Sequence, residues 1–298
     1  MIEDLSWQSL SPVLIIDGQE KLLKNGEQFE MKLSDTRRCV GFNQYGSGAA
    51  PCPSSAIIPA GRDSQCEFCR KKDISFTAKT GFGNSKEANE LLSEYHVVYL
   101  AYFSDDLIKV GVSRWDRREV RVSEQGALAC LFIAKGNGTA ARNLERKIHT
   151  HVGLTEWVAQ SKKLRAIGRD IPSEAAMRES LEEAFSSVVS KTPSALMLKE
   201  PMFLYLAPQY QLDSSITSKD IYLASMVNLD AHINGVIAGI YGKLILVKTP
   251  KDTVVAIPGE QLKGFSTVKK PHTESGIQGI ETKVLPIDRQ QNLFDGLL

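Results

Sequence analysis

No apolar run in this sequence approaches the roughly 20 residues needed to cross a bilayer as a helix. The opening MIEDLSWQSL lacks a basic segment followed by an apolar one, so no signal peptide is expected and the cytoplasm is the expected compartment. Net charge is nearly absent, +1 from 36 Lys+Arg and 35 Asp+Glu, which excludes a uniformly basic or acidic surface. There is no P-loop, no Gly-x-Ser-x-Gly elbow and no convincing dinucleotide fingerprint, so three large enzyme classes have little support. Internal repeats are missing. With 42% hydrophobic and 24% charged residues, the composition excludes collagen, coiled coil and wholesale disorder. At roughly 150 residues per domain, 298 residues give about two domains or three small ones.

Charge and cysteine are unevenly placed. Residues 96–170 hold thirteen Lys/Arg against eight Asp/Glu, inside a chain that is otherwise slightly acidic. Such a segment is either an electrostatic footprint for phosphate or a solvated helical face. Cys39, Cys52, Cys66 and Cys69 share one stretch, and Cys130 stands alone. An odd count without a secretion signal argues against a disulfide framework. The Cys-x2-Cys knuckle at 66–69 is the specific element, because two thiolates that close can share one tetrahedral ion. The surrounding 39–72 is rich in Gly, Pro and Ser and is too long for a plain loop, so a structural four-cysteine zinc site is expected to organise it. Free or redox thiols, and an iron–sulfur cluster, are the alternatives. Cys130, among Leu128, Leu131 and Ile133, reads as a small buried hydrophobe.

Alternation and helical spacing give the order of elements. Short β segments fill the first 35 residues, including SPVLIID and QFEMKL. A helix is expected over 86–94. HVVYLAYF (96–103) and LIKVGVS (107–113) form a hairpin, a helix follows near 116–125, and LACLFIAKG (128–136) is a central strand. Ala140, Leu144 and Ile148 share a helix face over 139–152, and further helices are expected over 156–168 and 173–190, the last with Ser173 as its cap. After Pro193 the segments MFLYLA, GVIAGIYG, KLILVKT and TVVAIPG suggest a small sheet or partial barrel, and 266–286 shows little periodicity. The fold class is therefore α+β. It divides into a β/zinc module (1–92), a core (95–190), a small β module (198–270) and a flexible tail (271–298).

With the hairpin turn at Ser104–Asp106, Phe103 should face Leu107, Ala101 should face Lys109 and Tyr99 should face Gly111. Period-2 alternation then puts Tyr99, Lys109 and Gly111 on one face, with the glycine allowing a close approach. Glu145 and His149, four apart, share a helix face. Taken singly, each residue has an ordinary reading. Tyr99 is a packed strand aromatic, Arg121 pairs with Glu124, Glu145 pairs with Arg142, and His149 is a surface histidine.

In series, these stretches resemble the GIY-YIG nuclease superfamily over roughly residues 96–160. HVVYLAYF stands for the first motif, LIKVGVS for the second, Arg121 lies in RVSEQGA, and Glu145 and His149 lie in LERKIH. Glu156-Trp157 looks like one branch of that superfamily. The order of cysteine-rich part, core and GVIAGIYGK segment also resembles an uncharacterised prokaryotic family with a zinc-type module joined to such a core. The resemblance implies a nuclease using one divalent ion. Tyr99 would help activate water, Arg121 would hold the phosphate, and Glu145 would bind Mg²⁺ or Mn²⁺. Lys109 replaces the second motif's tyrosine, and Val97 replaces a glycine of the first. Gly111, Arg114, Arg117, Arg118, Gln125 and His149 are the expected substrate-binding residues around them.

Near the end of the chain, Gln290, Leu293 and Phe294 in QQNLF resemble the peptide by which replication and repair proteins dock onto a DNA sliding clamp. An amide anchor followed by two apolar side chains suits an apolar groove. The expected function is metal-dependent cutting of DNA, with RNA as a variant, beside the clamp and away from any membrane. A non-catalytic nucleic-acid-binding module and a clamp-linked adaptor are the rivals.

Overall fold

The computed structural model describes residues 1–44, 46–61, 63–74, 86–268 and 276–285. The chain is mixed α+β and mostly sheet. It opens with β1 (Ile2–Gln8), β2 (Ser11–Ile16) and β3 (Gln19–Leu22), a three-stranded antiparallel sheet in sequence order. The turn between β2 and β3 is Asp17-Gly18, both at positive φ. Next comes β4 (Gln28–Arg37), whose alternating Phe29, Met31 and Leu33 are buried.

The cysteine stretch follows, with a short hairpin of β5 (Phe42–Gln44) and β6 (Gly48–Ala50), then α1 (Glu67–Lys72). After α2 (Lys86–Ser93) the chain forms β7 (Tyr95–Ser104) and β8 (Leu107–Arg114), a 3-10 turn over Trp115–Arg117, α3 (Arg118–Gln125), β9 (Ala129–Asn137) and α4 (Gly138–Val152). Asn137 caps α4 by accepting a hydrogen bond from Ala140 N at 2.8 Å, and Gly153 closes it at φ +87°. Helices α5 (Gln160–Ile167) and α6 (Glu174–Lys191) follow, and Ser173 caps α6 as expected. β10 (Met197–Tyr205) completes a four-stranded antiparallel sheet in the order β10-β9-β7-β8. The near-continuous burial of β7 and β9 reflects their central positions.

The remainder is β11 (Ile221–Tyr241), β12 (Leu244–Lys248), β13 (Val254–Pro258), the short α7 (Gly259–Leu262), β14 (Phe265–Thr267) and β15 (Ile277–Leu285). β4 pairs with both β11 and β14, so one sheet in the order β12-β13-β11-β4-β14 joins strands from both ends of the chain, and β15 also pairs with β11. An aromatic chain ties this sheet to the β7–β10 sheet. Trp7, Tyr210 and Tyr241 meet edge to face at 5.2 and 5.1 Å, Trp7 Nε1 donates to Gly242 O at 2.8 Å, and Tyr210 Oη donates to Ala127 O at 2.6 Å.

Four local expectations change. An irregularity between Tyr102 and Ser104 sets Ser104, not Phe103, opposite Leu107, while Ala101–Lys109 and Tyr99–Gly111 pair as expected. Ala141, not Ala140, is buried with Leu144 and Ile148. The helix expected from 156 begins at Gln160, because Thr155 is bridged to Lys109 and accepts from Val110 N at 2.9 Å, which holds the chain extended along β8. Residues 277–285, expected to be irregular, form β15.

Candidate functional site

The thiols of Cys39, Cys52, Cys66 and Cys69 lie within 4.8 Å of one another, with Cys52 and Cys66 sulfurs 3.9 Å apart. Sulfurs about 3.8 Å apart are what ~2.3 Å zinc–sulfur bonds at tetrahedral angles require. Gly41 N at 3.4 Å and Cys66 N at 3.2 Å both donate to Cys39 Sγ, as suits a thiolate. Gly41 takes φ +87° against Ala50, where a side chain would collide with the backbone. Gln65 and Asn43 both bond Asp73, bracing the loop around the cluster. Hydrogen bonds from Ser54 and the backbone lower the Cys52 thiol to about 6, whereas burial and the neighbouring thiols raise that of Cys69. The four-cysteine cluster can thus hold a metal such as zinc, and a closed set of four thiolates leaves it structural. Cys130, as expected, is buried and apart from it.

A second polar site lies where β7, β8, α3 and α4 meet. Tyr99, on a buried central strand, is 1% exposed, and its hydroxyl donates to Gln125 Oε1 at 3.1 Å at the end of α3. Its ring covers Gly111 so closely that a Cβ there would fall under 3.0 Å from the ring. The approach that Gly111 permits is therefore that of Tyr99's own side chain. Burial raises the Tyr99 pKa, against a smaller opposing effect of Arg121. The hydroxyl stays protonated at neutral pH.

Lys109 is buried two pairs along the hairpin and donates to Glu156 O at 3.2 Å. Burial and the nearby Arg121 lower its pKa to about 8. Glu145 on α4 is pushed up to about 7, first by burial and then by repulsion from Glu156, with Lys109, Arg142 and Arg121 opposing. Arg121 and Glu145 thus both act electrostatically on Tyr99 and on Lys109.

Arg121 and Glu145 line a groove of about 630 Å³. Arg114, Arg117, Arg142 and Arg146 also line it, against the acids Glu124, Glu145 and Glu156. Tyr99, Lys109 and Gln125 do not line it. Of the other expected substrate residues, Arg114 pairs with Glu94 at 3.1 Å and Arg117 with Glu124 at 3.7 Å. Arg118 turns to Glu119 at 3.0 Å and stacks on Trp115. The exposed His149 bonds Leu154 O through Nδ1 at 2.8 Å. Gln290, Leu293 and Phe294 fall outside the described residues.

Lys163 and Arg146 were not expected here, and Arg142 was expected only as a partner of Glu145. Lys163 on α5 donates to Gln125 O at 2.6 Å, and burial beside Lys109 and Arg121 lowers its pKa to about 7. Glu156 was seen only as part of a motif and not as a partner of Glu145. The helical spacing of Arg142 and Arg146 beside Glu145 was the available signal for those two; Lys163 carried none. A larger cleft, about 810 Å³, runs beside the cysteine cluster and is lined by acids and bases alike, among them Asp4, Arg38, Arg70 and Glu260. Among the described residues, no helix is long and apolar enough to cross a membrane.

A family described as "Protein of unknown function (DUF2797)" matches residues 26–267, which is most of the chain and takes in both the cysteine cluster and the groove. No curated protein and no solved structure matches.

Proposed function

Because the chain belongs to the DUF2797 family, whose description names no activity, its chemistry must be read from the groove, and we propose that it is a metal-dependent nuclease of GIY-YIG type acting on DNA in replication or repair. The observation that carries this reading is the shared groove of Arg121 and Glu145, rich in arginine, with Tyr99 and Lys109 buried within electrostatic reach. The strand–strand–helix–strand–helix order from β7 to α4 supports a GIY-YIG-like core on the same residues.

Glu145 would hold Mg²⁺ or Mn²⁺. Its repulsion from Glu156 is the kind of strain that a cation between two carboxylates relieves, and a divalent ion of this class uses one or two carboxylates. Such an ion, when bound, polarises the phosphate and stabilises the leaving oxygen. Arg121, exposed on the groove wall, would clamp the phosphate through two parallel hydrogen bonds. Lys109 adds positive charge behind it. Tyr99, kept protonated, would orient Gln125 through its hydroxyl and is not itself the base. The four-cysteine zinc site would be structural. The Gln290, Leu293 and Phe294 peptide would dock the enzyme onto the sliding clamp.

One observation favours a second reading, a binding module without cutting: Tyr99 is 1% exposed and its hydroxyl is engaged by Gln125. Cleavage of labelled single-stranded, duplex, flap and branched DNAs, and matching RNAs, in Mg²⁺ or Mn²⁺ decides. The nuclease reading expects cutting by wild type and a loss of about a hundredfold or more in Glu145→Gln and Arg121→Ala. Salt-sensitive binding without cutting by wild type would select the binding module.

A further inference from the structure

Trp157 follows Glu156, a residue of the groove wall, and is 74% exposed. Its loop is nonetheless tightly fixed. Val110 N donates to Thr155 O at 2.9 Å, Lys109 Nζ to Glu156 O at 3.2 Å, and His149 Nδ1 bonds Leu154 O at 2.8 Å. Thr155 Oγ1 donates to Trp157 O at 2.8 Å and accepts from Trp157 N at 3.2 Å. The backbone is pinned on both sides, so the large apolar ring is held out in water. The other indoles differ: Trp7 is buried, and Trp115 is covered by Arg118 at 4.4 Å and Lys135 at 4.0 Å.

A rigid exposed aromatic one residue along the chain from the wall of an arginine groove matches a ligand that repeats a flat apolar face beside a negative charge. Single-stranded nucleic acid is that ligand, and base–aromatic stacking beside a cationic track is how such strands are gripped. A peptide offers no such regular pairing of charge and flat face. We propose that Trp157 is the stacking platform for an unpaired base of a single strand whose phosphates lie in the arginine groove. This rests on the nuclease reading and names its substrate class as single-stranded or locally unpaired.

Titrating the full-length protein, without added Mg²⁺, with an oligothymidylate and with an abasic oligomer of equal length tests it, read by tryptophan fluorescence and anisotropy. Wild type should prefer the oligothymidylate by about tenfold or more. Trp157→Ala should bring that affinity down to the abasic value while leaving abasic binding and its salt dependence unchanged, and Trp157→Phe should retain most of the preference. Equal affinity of wild type for the two oligomers, wild-type affinity in Trp157→Ala, or equal losses on both oligomers would overturn the proposal, as would failure to bind either. Cutting assayed in parallel separates the two readings. Cutting without base preference sinks this inference alone, and base-dependent binding without cutting sinks only the catalytic reading.

Discussion

The pairing of Gly111 with Tyr99 shows how a single position fixes the site. The Tyr99–Gly111 pair followed from placing the turn at Ser104–Asp106, and strand alternation then put Tyr99, Lys109 and Gly111 on one face. What alternation could not reveal is that the glycine accommodates the ring opposite it. Gly111→Ala should therefore cost about 1–3 kcal/mol through overpacking. The readout is a lower urea midpoint with an unchanged slope, whereas an unchanged midpoint would mean that the ring has room to shift. Lys163 was invisible for the opposite reason. It reaches Gln125 O across 38 positions, and nothing in its local sequence marks it. The same holds for Arg37, a buried guanidinium that donates to the carbonyls of Lys263, Pro59, Asp63 and Glu260 at 2.7–3.1 Å and so ties the cysteine stretch to α7.

Among the elements, those with a strong period were legible. Helices α4 and α6 bury spaced apolar residues, and β7 and β9 are short apolar runs buried almost throughout, so spacing and composition reveal them. β15 was not legible because it is mostly exposed and buries only Leu285, leaving no apolar alternation to read. The cysteine stretch was legible as a unit because thiol spacing, not periodicity, carries the signal, and the structure brings the four sulfurs together. With few regular elements of its own, this unit is expected to depend on a metal such as zinc for its stability. Purified protein should contain one zinc per chain by mass spectrometry. Cys66→Ser should lose it and lower the thermal midpoint by several degrees. Four freely titrating thiols in metal-free wild type with an unaltered midpoint would reject the zinc site.

For the whole molecule, the pairing of β4 with β11 joins segments about 200 positions apart, with Ile233 opposite Met31. No local pattern encodes that partnership, so the sequence suggested only a small carboxy-terminal sheet. Lys243, between β11 and β12, pairs with Asp4 of β1, Glu124 of α3 and Glu260 of α7, and Glu124 also belongs to the arginine groove. Both ends of the chain thereby support α3, the helix that carries Arg121 and Gln125. We propose that Arg121 and Glu145, which line that groove, act as one catalytic unit supported by the buried Tyr99 and Lys109. Residues of one unit lose activity non-additively. The most direct test is single-turnover cleavage by Arg121→Ala, Glu145→Gln and the double variant. A double variant about as slow as the slower single one is the expected result. Losses that multiply, or wild type and variants equally active, would contradict it.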